Sequence, residues 1–523
     1  MDDVGQRNNE SGRSPNQIKP IMHSQKVHPL LEQYVQSETR RQFFRQGGNA
    51  LGLAALASLG MPTVASARDT SLVGGQSSGG QSSGGLGTLP HFPAKAKQVI
   101  YLHMVGGPSQ MDLFDYKPQM NDWYDKDLPE SIRNGQRLTT MTSGQARFPI
   151  APSMYKFAQH GQNGMWISEL LPETAKVVDE MCFIRSMHTE AINHEPAITM
   201  MQTGSMVTGR PCIGSWLSYG LGSMNNNLPT FVVLVAQPTN TEQIQAISAR
   251  LWSSGCLSGE HAACSFRSSG DPIMYINNPA GVSTEVRRKT LDGLKSLNEI
   301  NFRTVGDPEI HTRIQQYELA FRMQSSVPEL TDIKSEPEST FELYGDDAKK
   351  PGTFANAVLL ARRMVERDVR FVQVYLNNWD HHANVSGRLP SQCKDVDRST
   401  YGLITDLKAR GLLDSTLIIW GGEFGRTIYS QGGLSKTNYG RDHHPRCFTM
   451  WMAGGGAKGG AIHGETDDFS YNIVKDPVHI RDYHATLLHL MGIDHERLSF
   501  RNQGLDLRLT GVENAKVVKE LLT

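Results

Sequence analysis

Hydrophobic positions gather into short continuous runs that end abruptly in glycine, proline or charged residues. Gln98 to Met104 is apolar at nearly every position and stops at the turn Gly106-Gly107-Pro108-Ser109. Thr230 to Val235, Val369 to Leu376, Ser415 to Trp420 and Phe448 to Met452 repeat the pattern. A strand apolar on both alternating sets of positions is one covered on both faces. Asn356 to Arg367 instead carries Val358, Leu359, Ala361, Met364 and Val365 at helical spacing, and Tyr401 to Arg410 and Asp482 to Met491 read the same way. This alternation predicts an α/β fold: a mostly parallel central sheet with helices on both faces. Residues 236–350 break the alternation and are richer in polar residues, proline and glycine. They are predicted to be an inserted or cap region, with helices around Thr284 to Ile300 and Pro308 to Met323.

The ends of the apolar runs carry the chemistry. In parallel sheets, ligands bind outside the carboxyl ends of the strands. There the chain places Gly106 to Asp112, Trp379-Asp380-His381-His382 and Gly422-Glu423-Phe424-Gly425-Arg426. A second Asp-His-His, Asp442-His443-His444, stands just before a strand and reaches the same rim only through a long excursion. Carboxylates and imidazoles gathered at strand ends are the raw material of a divalent-metal site. Asp112, Asp380, His382, Glu423, Asp442, His443 and His444 are the candidate ligands. Each has a plainer reading. Asp112 caps the helix after the turn, Glu423 partners Arg426, and of the 442–444 triplet all three cannot easily ligate, with His444 favoured. His381 points away from its neighbours. His484 and His489 sit among apolar residues and read as packing.

Composition narrows the class. The chain has 523 residues, 38% hydrophobic and 20% charged, an ordinary globular balance. Net charge is −1, from 52 basic and 53 acidic residues, which gives no reason to expect nucleic acid or an anionic membrane as partner. The 18 histidines are many, and cluster in the motif segments. None of the six cysteines forms a Cys-x-x-Cys pair, so a zinc knuckle is not expected; Cys256 and Cys264 are near enough in sequence to bridge in an oxidising space.

The first residues read as an address. Thr39-Arg40-Arg41-Gln42-Phe43-Phe44-Arg45 resembles a twin-arginine export signal, followed by an apolar stretch from Asn49 to Val64 and the small residues Ala65-Ser66-Ala67. That stretch is shorter than the roughly 20 residues of a membrane span. The expected layout is a signal over 1–67, a Gly/Ser/Gln-rich linker over 68–92, a globular domain over 93–515 and a tail over 516–523, with the mature protein periplasmic or extracellular and no membrane span in it.

The ordered motifs resemble one family closely. Leu102 to Asp115, Trp379-Asp380-x-His382, Gly422 to Thr427, Gly440 to Pro445 and Gly454 to Gly460 are similar to the DUF1501 family of planctomycete-type exported proteins, over about residues 95 to 512. That family is similar in pattern to the alkaline phosphatase and sulfatase superfamily. The resemblance implies an alkaline phosphatase-like fold with a metal bound by Asp112, by Asp380 with His382, by Glu423 and by His443 or His444. It departs at two points. Phe424 stands where the superfamily has an imidazole, and His194 stands nine residues before Thr203-Gly204, where the superfamily has its Cys or Ser nucleophile.

The function so implied is an exported metal-dependent hydrolase of phosphate or sulfate esters, small or on a polysaccharide. His194 is then the atypical catalytic group, and Arg426 or Arg441 grips the ester oxyanion. Zinc is the first choice of metal, with manganese, iron, magnesium or calcium as alternatives. The alternative is a non-catalytic binding protein on a degenerate sulfatase-like fold. An oxidoreductase ranks last, since no nucleotide loop, cysteine cluster or haem motif stands in the chain. Substrate and oligomeric state are not encoded legibly.

Overall fold

The computed structural model describes residues 85–523, apart from 242–244, 268–269 and 308. The export-signal motif, its apolar stretch and nearly all of the Gly/Ser/Gln run therefore lie outside the described residues. Those described belong to one of the chain's two compact units, Ser78–Thr523.

Strand β1 (Gln98–Met104) is wholly buried and is followed by the short helix α1 (Gln110–Leu113). After it come β2 (Met181–His188), helices α2 (His194–Thr203) and α3 (Ile213–Leu221), and β3 (Phe231–Ala236). Residues 236–350 hold β4 (Cys264–Phe266), which pairs with β3, and helices α4 (Thr284–Val305) and α5 (Glu309–Thr331). The chain then runs through α6 (Phe354–Val365), β5 (Phe371–Leu376), α7 (Val385–Ala409) and β6 (Thr416–Gly421). It continues through β7 (Gly425–Ser435), β8 (Asn438–His444), β9 (Phe448–Ala453), β10 (Ile462–His463), β11 (Val478–His479) and α8 (Ile480–Leu490).

Among the described residues nine strands form the central sheet, in the order β10-β2-β9-β6-β1-β5-β3-β4, with β11 also on β2. The class is the one the alternation predicts. β1 pairs in parallel with β5 and β6, and β5 with β3; only β9 runs antiparallel, between β6 and β2. Register puts Met104 beside Leu376 and His103 beside Gly421, so three carboxyl ends meet at one rim. Alternation along β1 sends Ile100, Leu102 and Met104 into one core with α6 and α7, and Val99, Tyr101 and Val105 into the other with α2, α3 and α8. Among the described residues no helix is long and apolar enough to cross a membrane.

Several boundaries differ from the sequence reading, for identifiable reasons. α7 begins at Val385 rather than near Tyr401, because Leu389, Cys393, Val396, Leu403 and Leu407 are buried on one face and that packing outweighs Pro390 inside the helix. Residues 86–92 make contacts of their own: Leu86 donates its N–H to the Gly220 carbonyl and the Phe92 ring lies tilted against His489. The last residues are not a loose tail, since Leu521 is fully buried and Thr523 donates to the Gly456 carbonyl. Cys256 and Cys264 are both unbridged.

The largest correction concerns 438–444. This segment does stand just before a strand, β9, as read, but it is not a loop excursion. It is itself a strand, β8, folded back on β7 as an antiparallel hairpin that pairs His443 with Arg426 and His444 with Gly425. Runs with polar residues at most positions are poor strand signals, yet this one is buried because the hairpin lies across the rim of the sheet.

Candidate metal centre

Four side chains converge at the rim. His194 begins α2, Asp380 and His382 come from the loop after β5, and His443 comes from β8. One donor atom from each lies within 4.8 Å of all the others. Asp380 is the hub: its Oδ2 is 3.2 Å from His194 Nε2, and its Oδ1 is 2.9 Å from His382 Nε2 and 3.5 Å from His443 Nε2. The side chains of His194 and His382 keep 17% and 16% of their surface exposed, so the cluster is open to solvent on that side.

The rings are oriented by their other nitrogens. Nδ1 of His194 meets Glu423 Oε1 at 2.7 Å, Nδ1 of His382 meets Gln431 Oε1 at 2.5 Å, and Nδ1 of His443 meets the Ile192 carbonyl at 2.8 Å. All three partners accept, so each Nδ1 donates. That leaves three Nε2 atoms directed at one point beside a carboxylate. Nε2 of His194 and of His443 has no hydrogen-bond partner although buried. Three imidazole nitrogens and one carboxylate oxygen are a donor set for one divalent ion of borderline softness, zinc above magnesium or calcium. The residues present fit such an ion.

The charges within the cluster act on one another. Burial opposes charge on Asp380, but the Arg426 guanidinium and the three imidazoles hold its carboxyl far below the usual carboxylate range. Burial likewise disfavours a charged His194, yet Asp380 and Glu423 outweigh it and raise that imidazole. Burial pushes His443 down to about 4, leaving it neutral, as a ligand must be.

The remaining candidates are placed elsewhere. Asp112 is fully buried in an ion pair: Arg441 Nε is 2.7 Å from its Oδ2, and Ser109 and Tyr439 also donate to it. Neither it nor Arg441 faces the cluster, and the Arg441 guanidinium also serves the carbonyls of Thr427 and Ala151. Arg426 pairs with Asp380 and binds the carbonyls of Gly106, Gly107 and Arg441, so no edge of it is left for an ester oxyanion. Asp442 accepts from Thr139 and Thr142, and His444 bonds the Tyr471 carbonyl at 2.7 Å. The triplet is split: His443 turns to the cluster while Asp442 and His444 turn away, with an irregularity in the pairing between Arg441 and His443. Glu423 lies behind His194 rather than in the donor group. His194, read as a catalytic group, stands among the donors. Phe424 cannot ligate, but its ring packs against His194 and His443 at 5.0 and 4.5 Å.

Sequence reasoning missed Gln431, His103 and Gln245, whose Nε2 lies 2.7 Å from Asp380 Oδ2. No motif marks Gln431 or Gln245, and His103, though within the first motif, carried no role there, because all three act only through tertiary contacts. Two glycines make room for the cluster. A side chain on Gly106, at φ +119°, would stand 2.5 Å from the Asp380 nitrogen, and one on Gly440 would run into the His382 carbonyl. Gly440→Ala is therefore expected to lose about 1–3 kcal/mol, as overpacking does, and to bind metal more weakly. Urea unfolding and zinc titration of that variant check both.

The profile of the family described as "Protein of unknown function (DUF1501)" matches residues 96–522. No curated protein matches the chain in sequence. Among solved structures, it is similar to Ps i-CgsB at 11% identity and TM-score 0.34, covering 76% of this chain and 72% of that one. It is similar to the lipoteichoic acid synthase LtaP from Listeria monocytogenes at 9% and 0.32, covering 80% and 75%. It is also similar to alkaline phosphatase from the Antarctic bacterium TAB5 at 12% and 0.27, covering 71% and 95%. Likeness at this level brings no chemistry to the chain.

Proposed function

The chain belongs to the DUF1501 family, proteins of unknown function, and from that premise we propose that it is an exported, metal-dependent hydrolase of phosphate or sulfate esters. The observation that carries the metal is the convergence of His194, Asp380, His382 and His443 on one point. Those four residues would hold a single divalent ion, zinc by the nitrogen-rich donor set. Such an ion supplies Lewis acidity toward an ester oxygen. The chain's own groups do the rest. Asp380 gathers the imidazoles, Arg426 offsets its charge, and Phe424 fixes the ring planes of His194 and His443. The exposed edges of His194 and His382 give an ester a way in. The ester class rests on the ordered motifs shared with the sulfatase-like pattern, and export rests on the twin-arginine segment.

One observation favours the second reading, a metal-holding binding protein without turnover. Both arginines expected to grip an oxyanion are buried and engaged elsewhere. A single experiment separates the two. Elemental analysis of purified protein is expected to give about one divalent ion per chain, and aryl phosphate or aryl sulfate to be cleaved until a chelator is added. Protein with no bound metal refutes the centre. Metal-replete protein that cleaves no ester establishes the binding reading.

A further inference from the structure

Glu423 is a fully buried carboxylate outside the donor group, and its surroundings are built around it. Oε1 takes the Nδ1–H of His194 at 2.7 Å, and the Gly106 N–H lies 2.9 and 3.2 Å from the two oxygens. On its far side Oε2 faces His103 Nε2 at 3.7 Å. The other nitrogen of His103 faces the Tyr101 hydroxyl at 3.3 Å and the Gln202 amide nitrogen at 3.5 Å, both able to donate. His103 Nε2 itself lies beyond hydrogen-bond distance of Glu423 and has no other partner. A buried carboxylate costs several kcal/mol unless hydrogen bonds satisfy it, and here His194 and the Gly106 N–H supply them.

We propose that Glu423 is a positioning residue for the divalent cation. It locks His194 in the tautomer whose Nε2 lone pair faces Asp380 and makes that imidazole the strongest donor of the three. This rests on the metal-centre reading above. The grading follows from the acceptors: an ionised carboxylate behind His194, a neutral amide oxygen behind His382, a backbone carbonyl behind His443. A charged acceptor makes a hydrogen bond roughly twice as strong as a neutral one, and it raises ligand basicity correspondingly. The Gly106 position has to be glycine for the same arrangement, since its N–H reaches Glu423 only from a backbone that a side chain would force away from Asp380.

The test uses the full chain and Zn(II) alone, titrated in competition with a chromophoric chelator, with Co(II)-loaded protein read by visible absorption. Glu423→Gln is expected to weaken Zn(II) binding by about 10–100-fold and to alter the Co(II) spectrum. Gln431→Leu, on the half-buried part of the hairpin, is expected to weaken binding by less. Glu423→Gln binding within about twofold of the wild type, with an unchanged spectrum, overturns the positioning role, since outer partners of metal ligands normally cost at least tenfold. So does a larger loss for Gln431→Leu than for Glu423→Gln. Should Glu423→Gln not fold, Glu423→Asp decides, since it draws the acceptor back from His194 Nδ1: affinity and spectrum unchanged from the wild type overturn the lock. A wild-type protein that takes up no Zn(II) sinks the centre itself, a different result from a wild type that binds while the variant binds equally well.

Discussion

Asp380→Ala is expected to strip the centre of its ion and to abolish turnover rather than raise KM. Asp380 is the one group that every member of the cluster touches. Three Nε2 atoms, the Arg426 guanidinium and the Gln245 amide all aim at its two oxygens. Removing it takes away the only anionic ligand and leaves Arg426, itself fully buried, without its counter-charge. The affinity loss should exceed the roughly 100-fold ceiling of an outer-partner change. Loss of a group acting only at the reacting centre lowers kcat and kcat/KM together. Asp380→Asn separates charge from shape, because it keeps the volume and one oxygen yet cannot balance Arg426. It should fold and still bind metal far more weakly. Zinc titration and ester kinetics on both variants check this; wild-type metal content in Asp380→Ala would remove Asp380 from the centre.

Asp112→Ala is expected to cost stability rather than metal. Its carboxylate and Arg441 are both wholly inaccessible, 2.7 Å apart; Ser109 and Tyr439 also donate to the carboxylate, and the guanidinium donates to the carbonyls of Thr427 and Ala151. Breaking a buried pair from one side typically costs about 3–5 kcal/mol, since the surviving charge has no solvent. Against a total of about 5–15 kcal/mol that is a large fraction. Replacing both residues by apolar ones, Asp112→Leu with Arg441→Met, should recover much of the loss. The pH dependence has a definite sign. Burial opposes ionisation of Asp112, but Arg441 prevails and its carboxyl lies below the ordinary range. Its contribution is therefore full above about pH 4, the unfolded value, and disappears only as pH falls through the lower folded one. Urea unfolding of the single and double variants measures the coupling, and metal bound per folded molecule should stay unchanged. If Asp112→Ala loses its metal with stability intact, the motif-based ligand assignment was the right one.

These two aspartates mark where motif reading and structure part. In the sequence they are equivalent, acidic residues just beyond buried apolar runs. In the fold one meets three imidazoles and the other an arginine. The same holds for Arg426 and Arg441, whose chain positions suit an oxyanion but whose guanidinium groups close onto carboxylates and carbonyls. The split of Asp442-His443-His444 was illegible for another reason. Nothing in a polar heptapeptide announced that it was a strand at all. Gln431 was invisible because an acceptor behind an imidazole has no spacing rule.

By itself the sequence determined the layered α/β class, the buried strands and the presence of acid–imidazole chemistry at their ends. Those depend on local periodicity and on turns that break it, properties carried by neighbouring residues. Only the tertiary structure decided which carboxylate meets which cation and which imidazole turns inward. Those choices are made by groups hundreds of positions apart, such as Arg441 with Asp112 and Glu423 with His194. Their energies exist only once water has been expelled from between them.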